Sequence, residues 1–168
     1  FLADDDLTLR AAQKPRGDGG DDYFRITDGK VEDKPMATVG LEDSLSTSPL
    51  GFTPDGKTLY WTDSRGRDTA ALMAQDFSTG EMRVVAQDAR ADINAALYDK
   101  TSGKPLAYAV NYLKNEYVAL DPTMQADLDR LKAFAKGGQF GVQSRTDADD
   151  RWIVSLDPVT APTSVWLY

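Results

Sequence analysis

Pro54-Asp55-Gly56-Lys57-Thr58-Leu59-Tyr60-Trp61-Thr62 is the stretch that decides how this chain folds. Proline ahead of an Asp-Gly pair supplies a tight turn, and the residues after it alternate as a strand does. Just upstream, Leu50-Gly51-Phe52 reads as the innermost strand of the same unit. Downstream comes a polar loop, Asp63 to Asp68, and then a second apolar strand, Thr69 to Asp76. The turn Ser78-Thr79-Gly80-Glu81 leads into a third strand, Met82 to Ala86. Short strands joined by tight turns at this spacing predict an antiparallel meander.

The pattern returns twice. Thr101-Ser102-Gly103-Lys104 is a turn before the strand Pro105 to Val110, and a polar break separates that strand from Glu116 to Leu120. Asp147 to Asp150 is a polar turn before the strand Arg151 to Leu156, and a proline-containing loop leads on to Ser164 through Tyr168. Lys57, Lys104 and Arg151 open equivalent strands at two successive intervals of 47 residues. Leu59, Leu106 and Ile153 then align, as do Leu72, Ala119 and Trp166. A period in the forties with several short strands per unit is the signature of β-propeller blades. The units resemble the PDG type of WD40-like blade, although Trp61 is followed by Thr62 rather than Asp. The expectation is a mainly β chain forming a partial β-propeller of about three to four antiparallel blades. An irregular blade occupies 1–49, followed by blades at 50–92, 93–139 (with an inserted helix) and 140–168, the last truncated. The competing reading is a β-sandwich with coincidental spacing.

The inserted helix is expected near 122–136. Asp121 suits the N-cap and Pro122 the first helical position. Met124, Leu128, Leu131 and Phe134 share one face, Lys132 and Lys136 favour the last turn, and Gly137-Gly138 stops the run. In the first fifty residues, Leu7 to Ala11 and Tyr23 to Thr27 read as strands, Pro15 to Asp22 as a Gly- and Asp-rich loop, and Gly29 to Pro49 as a crossover.

Composition excludes whole classes of chemistry. The chain has 168 residues, no histidine and no cysteine. A serine triad needs an imidazole to carry the nucleophile's proton, and disulfides and thiolate metal sites need cysteine. The net charge of −8 repels phosphate backbones, so nucleic acid is not an expected partner. No apolar run is long enough to span a bilayer, and no membrane partner is expected. The sequence leaves open the bacterial cytoplasm or periplasm for a soluble chain.

From Phe52-Thr53-Pro54-Asp55-Gly56 through Phe77-Ser78-Thr79-Gly80-Glu81, the chain resembles the propeller blades of the prolyl oligopeptidase family of serine peptidases, which includes the acylaminoacyl peptidases. Leu120-Asp121-Pro122-Thr123-Met124-Gln125-Ala126-Asp127-Leu128 is similar to the helix inserted in bacterial members, and the resemblance covers most of residues 40 to 168. It implies an N-terminal propeller that restricts access to a C-terminal α/β-hydrolase domain and can contact the peptide substrate. The hydrolase nucleophile motif G-x-S-x-G is absent from this chain. So is the pair of adjacent glutamates with which some members hold the substrate's amino terminus. The sequence therefore nominates no catalytic, cofactor-binding or metal-ligating residue, and no cofactor.

The expected role is a non-catalytic propeller segment of such a peptidase, with the hydrolase domain elsewhere in a longer parent chain. The start at Phe1 and the small number of blades fit a piece of that parent. The open blade edges are expected to permit self-association. The alternatives are a protein-binding propeller without a hydrolase and a glycosidase acting through propeller carboxylates. The acidic clusters at Asp4-Asp5-Asp6, Asp18 to Asp22 and Asp147 to Asp150 read as solvated turns rather than calcium loops. Arg16-Gly17-Asp18 spells an adhesion tripeptide, a weak signal in a Gly-rich loop. Trp61, Trp152, Trp166, Tyr60 and Tyr108 are expected to fill the space between blades.

Overall fold

The computed structural model describes residues 1–168 and is mainly β: four antiparallel sheets, each like a propeller blade, and one α-helix. The chain divides into two compact units, Phe1–Asp92 and Ile93–Tyr168.

The first unit holds two four-stranded meanders. One runs β1 (Leu2–Ala3), β2 (Leu9–Pro15), β3 (Asp21–Thr27) and β4 (Lys30–Val39); the other runs β5 (Ser48–Phe52), β6 (Thr58–Asp63), β7 (Ala71–Asp76) and β8 (Met82–Ala86). The expected crossover from Gly29 to Pro49 is corrected here, because about half of it is the ten-residue strand β4. Asp28 (φ 50°) and Gly29 (φ 73°) both take left-handed conformations, which closes a two-residue hairpin between Thr27 and Lys30. The outer half of β4 is exposed and rich in charge, so it lacks the apolar alternation that betrays a strand. Between the two sheets lies a core of Tyr23, Val39, Leu59, Trp61, Met73 and Phe77. Tyr23 meets Trp61 edge-on with ring centroids 5.0 Å apart, and Phe52 meets Phe77 likewise at 4.9 Å.

The second unit holds two three-stranded meanders, β9 (Ile93–Tyr98), β10 (Pro105–Tyr112) and β11 (Lys114–Ala119), then β12 (Gln139–Arg145), β13 (Trp152–Asp157) and β14 (Ser164–Leu167). Neither β9 nor β12 stood out in the sequence. The helix α1 (Pro122–Phe134) follows β11, at the place in chain order where β8 follows β7. Its first turn is built as expected, with the Asp121 carboxylate accepting from the Thr123 N–H at 2.9 Å and from its hydroxyl at 2.7 Å. The Leu120 and Asp121 N–H groups both donate to the Leu106 carbonyl, which pins the helix start to β10. Met124, Leu128 and Leu131 are buried against Trp152, Val154 and Leu156. Phe134 departs from the expected stripe: at the end of the last turn it is half-exposed and meets the Trp166 ring edge-on. Lys136 (φ 48°) and Gly137 (φ 87°) carry the chain out of the helix.

The period read from the sequence is present in the elements. β6, β10 and β13 begin at Thr58, Pro105 and Trp152, each just after one of the three register residues. The hairpins repeat as well. Asp76-Phe77-Ser78-Thr79-Gly80 and Asp99-Lys100-Thr101-Ser102-Gly103 form one device. In each the glycine N–H donates back to the aspartate carbonyl at 2.8 Å, the carboxylate accepts from a nearby serine hydroxyl at 2.6 Å, and the glycine has positive φ. The turns from Thr53 and from Thr146 share a second device, with the left-handed residue, Gly56 or Asp149, donating its N–H to the threonine carbonyl.

Candidate functional site

Trp61, Trp152, Tyr60 and Tyr108 are buried as expected, whereas Trp166 is half-exposed because β14 is the last strand of its sheet. The acidic clusters at Asp4-Asp5-Asp6 and Asp147 to Asp150 form turns, whereas of Asp18 to Asp22, read as part of a loop, Asp21 and Asp22 already belong to β3. Asp4 accepts from the Thr8 N–H and pairs with Arg10 at 2.9 Å, Asp149 pairs with Arg145 at 2.7 Å, and Asp150 accepts from the Thr146 hydroxyl. In the Arg16-Gly17-Asp18 loop the two charged ends engage each other bidentately, Nε to Oδ1 at 3.1 Å and Nη2 to Oδ2 at 2.7 Å.

Ser64 carries the densest hydroxyl network. Its Oγ donates to Asp43 at 2.7 Å and accepts from Ser46 at 2.7 Å, while Thr47 lies 3.0 Å away. No imidazole is available to accept a proton from Ser64 and return it to a leaving group, so the cluster lacks the relay that activates a serine. Its consequence is structural: it latches the loop after β4 onto the end of β6.

A cleft of about 810 Å³ opens at the hairpin end of the first unit's two sheets. Arg10 on β2 and Arg25 on β3 form one wall, and the turns at Asp55-Gly56-Lys57 and Asp76-Phe77-Ser78 form the other. The Arg10 guanidinium lies 5.6 Å from the Phe52 ring centroid and 5.2 Å from that of Phe77, and donates to the Gly56 carbonyl at 3.3 Å. Arg25 lies 5.3 Å from the Phe77 centroid and donates to the Ser78 carbonyl at 3.2 Å. A planar cation on an aromatic face, with its donors on carbonyls, bonds two elements at once. A third arginine works in the opposite direction, since Arg65 in the loop after β6 donates to the Thr38 carbonyl of the first sheet at 3.1 Å.

These contacts clamp the two sheets, and they leave one donor in reserve. The Arg25 Nε is buried without a hydrogen-bond partner. Chemically, the cleft offers hydrogen-bond donation to a carbonyl or carboxylate, and aromatic and aliphatic walls. Its hydroxyl–carboxylate contacts, Ser78 to Asp76 and Thr27 to Glu32, have no imidazole to relay a proton. The sequence reading missed this clamp because its parts lie far apart in the chain and carry no motif.

Two Asp-x-Arg loops hold the ends of the second sheet. Asp63-Ser64-Arg65 and Asp88-Ala89-Arg90 are each bidentate, with Nη2 to Oδ2 at 2.8 Å and 2.9 Å respectively. Burial pushes the Asp63 carboxyl up, but the Arg65 guanidinium and N–H more than offset it and hold it below the usual range. The Arg90 side chain and N–H hold Asp88 low as well. At the exposed hairpin, the Ser78 hydroxyl and the Thr79 N–H draw Asp76 down to about 2.

A scan against protein-family models finds no match. Over all 168 residues the chain is 44% identical to part of a protein from Pseudoxanthomonas mexicana, dipeptidyl aminopeptidase BIII. It spans 24% of that protein's length.

Proposed function

We propose, on the premise that this chain belongs to the prolyl oligopeptidase family of peptidases, that it is a non-catalytic propeller segment which gates and scaffolds substrate access to a hydrolase domain elsewhere in its parent chain. The observation that carries the reading is the match itself: 44% identity along every residue, to about a quarter of a dipeptidyl aminopeptidase. At that level of identity over four blade-like sheets, a shared role within the parent is the economical explanation.

The composition fits this division of labour. A segment without histidine can shape access and bind backbone, while proton transfer and nucleophilic attack are carried out elsewhere. All 168 residues then belong to one propeller, and the parent removes dipeptides from peptide amino termini, as the relative's name describes. The cleft beside Arg25 is a candidate contact for peptide carbonyl groups along the access route.

The experiment is activity-based labelling of the longer native polypeptide with a fluorophosphonate probe, followed by mapping of the labelled peptide. A labelled serine outside the 168 residues described here is the expected result. A folded parent that takes no label overturns the peptidase reading and leaves a protein-binding propeller in its place. A label within these residues overturns the non-catalytic role.

A further inference from the structure

Arginines of this chain hold aspartates by one edge of the guanidinium, the side formed by Nε and Nη2. Arg65 grips Asp63 this way at 2.9 Å and 2.8 Å, and Arg90 grips Asp88 at 3.0 Å and 2.9 Å. Arg16 and Asp18 repeat the geometry. Arg25, in the cleft of the first unit, has the same edge and no aspartate on it. Its Nη1 donates to the Ser78 carbonyl and its guanidinium rests on the Phe77 ring, while its Nε is buried without a partner. Of the five N–H donors of a guanidinium, Arg25 spends one within the chain. Its Nη2 lies beside the turn that ends at Gly80, where an added Cβ would stand 3.3 Å from it.

The carboxylates that line the cleft are committed elsewhere. Asp76 accepts from the Ser78 hydroxyl and the Thr79 N–H, Asp55 from the Thr53 hydroxyl and the Lys57 N–H, and Glu32 from the Thr27 hydroxyl. Asp28 sits at the exposed tip of the hairpin between β3 and β4. None of the four pairs with Arg25. Their charge still decides what the cleft accepts. Four negative groups around one unpaired cation repel a multiply charged anion such as phosphate, whereas a single carboxylate gains the guanidinium edge at a smaller repulsive cost. The remaining wall is apolar, with Leu9 half-exposed and Ile26 next to Arg25 on β3. At about 810 Å³ the cleft has the size of a small-ligand site.

We propose that this cleft is a carboxylate site, in which the Nε–Nη2 edge of Arg25 holds the C-terminal carboxylate of a short peptide and the peptide's last side chain lies against Leu9 and Ile26. Two parallel N–H bonds from a guanidinium to a carboxylate are strong and directional, and a lysine cannot reproduce them. That the carboxylate belongs to a peptide rests on the peptidase reading above; the chemistry of the site rests on Arg25 and its surroundings alone.

Titration calorimetry on the longer native polypeptide tests the site, with N-acetyl-alanyl-leucine as the probe. Its blocked amino terminus keeps it from being cut as a dipeptidyl substrate. The titration follows fluorophosphonate treatment, so it reads binding away from any reactive serine, and it gives a result whether or not a serine takes the label. The expected result is saturable binding of the acid, at least tenfold weaker binding of the corresponding C-terminal amide, and at least tenfold weaker binding of the acid to Arg25→Gln. An amide that binds as tightly as the acid overturns the proposal, and this comparison needs no variant to fold. So does unchanged affinity in an Arg25→Gln polypeptide with the parent's melting temperature. Acetate or phosphate binding as tightly as the blocked dipeptide overturns the peptide terminus as the ligand, because the cleft would then hold a free anion.

Discussion

Trp61 Nε1 donates a 3.0 Å hydrogen bond to Oε1 of Gln75, linking β6 to β7 within a region sealed from solvent. Gln75 is therefore a buried amide kept by its partner, in a strand otherwise made of Ala, Leu and Met up to its last residue. Replacing it with an apolar residue strands the indole N–H, which costs about 1–3 kcal/mol. Gln75→Leu should lower the denaturation midpoint accordingly, and Trp61→Phe should cost several kcal/mol through lost packing. The informative quantity is the double variant. It should be less destabilised than the sum of the two, because no orphan donor remains once both partners are gone. Additive costs would show that the hydrogen bond contributes nothing.

Gly56 and Gly66 separate backbone strain from the arginine clamp. Both have left-handed φ, +66° and +68°. A Cβ at Gly66 meets nothing within 4 Å, while one at Gly56 lies 2.5 Å from the Arg10 Nη1. Gly66→Ala should cost about 1 kcal/mol from conformation alone. Gly56→Ala should cost more, about 2–3 kcal/mol, because it also displaces Arg10 from its place between Asp4 and the Gly56 carbonyl. Equal losses in urea titrations would mean that the clamp adds no stability.

The low-titrating aspartates set an acid limit. Asp63, Asp88 and Asp76 are all held below their ordinary values in the folded chain. The unfolded chain, with aspartate near about 3.9, then binds protons more readily than the folded one. Their contribution is fully present above about pH 4 and is lost as the pH falls toward about 2, where Asp76 itself titrates. Thermal melting at stepped pH should show a decline confined to that window. Asp63→Asn should flatten it, and an unchanged slope in that variant would remove the Arg65 pair from the explanation.

α1 is anchored by Leu131 rather than by Phe134. Leu131 is 1% exposed within the core of the second unit, and Phe134 is 47% exposed. Leu131→Ala should cost about 2–5 kcal/mol. Phe134→Ala should cost clearly less. Paired unfolding titrations of the two variants check the order, and a reversed order would place the helix wrongly on its sheet.

The meander, its period and the helix were all legible because each is written in local chemistry. Turns such as Pro54-Asp55-Gly56 select backbone angles within four residues, and the Asp121-Pro122 start needs only its own first turn. Strand starts at Thr58, Pro105 and Trp152 keep the 47-residue interval for the same reason. β4 escaped notice because a strand that shows its outer half to solvent has no need of alternating apolar residues, and only the Asp28-Gly29 hairpin marks it. β9 and β12, most of whose residues are only partly buried or exposed, gave equally little local signal.

By itself the sequence determined a chain of short antiparallel strands with one inserted helix, and a chain unable to carry out imidazole-dependent hydrolysis, since absence of a residue type is independent of folding. Only the tertiary structure decided which charges and rings meet. Arg10 reaches Gly56, Phe52 and Phe77, and Arg65 reaches Thr38, through contacts between residues distant in sequence, whose pairing depends on how two sheets face each other. The exposure of Trp166 is of the same kind. The residue matches its buried counterpart Leu72 in sequence register, and differs because no strand lies beside it.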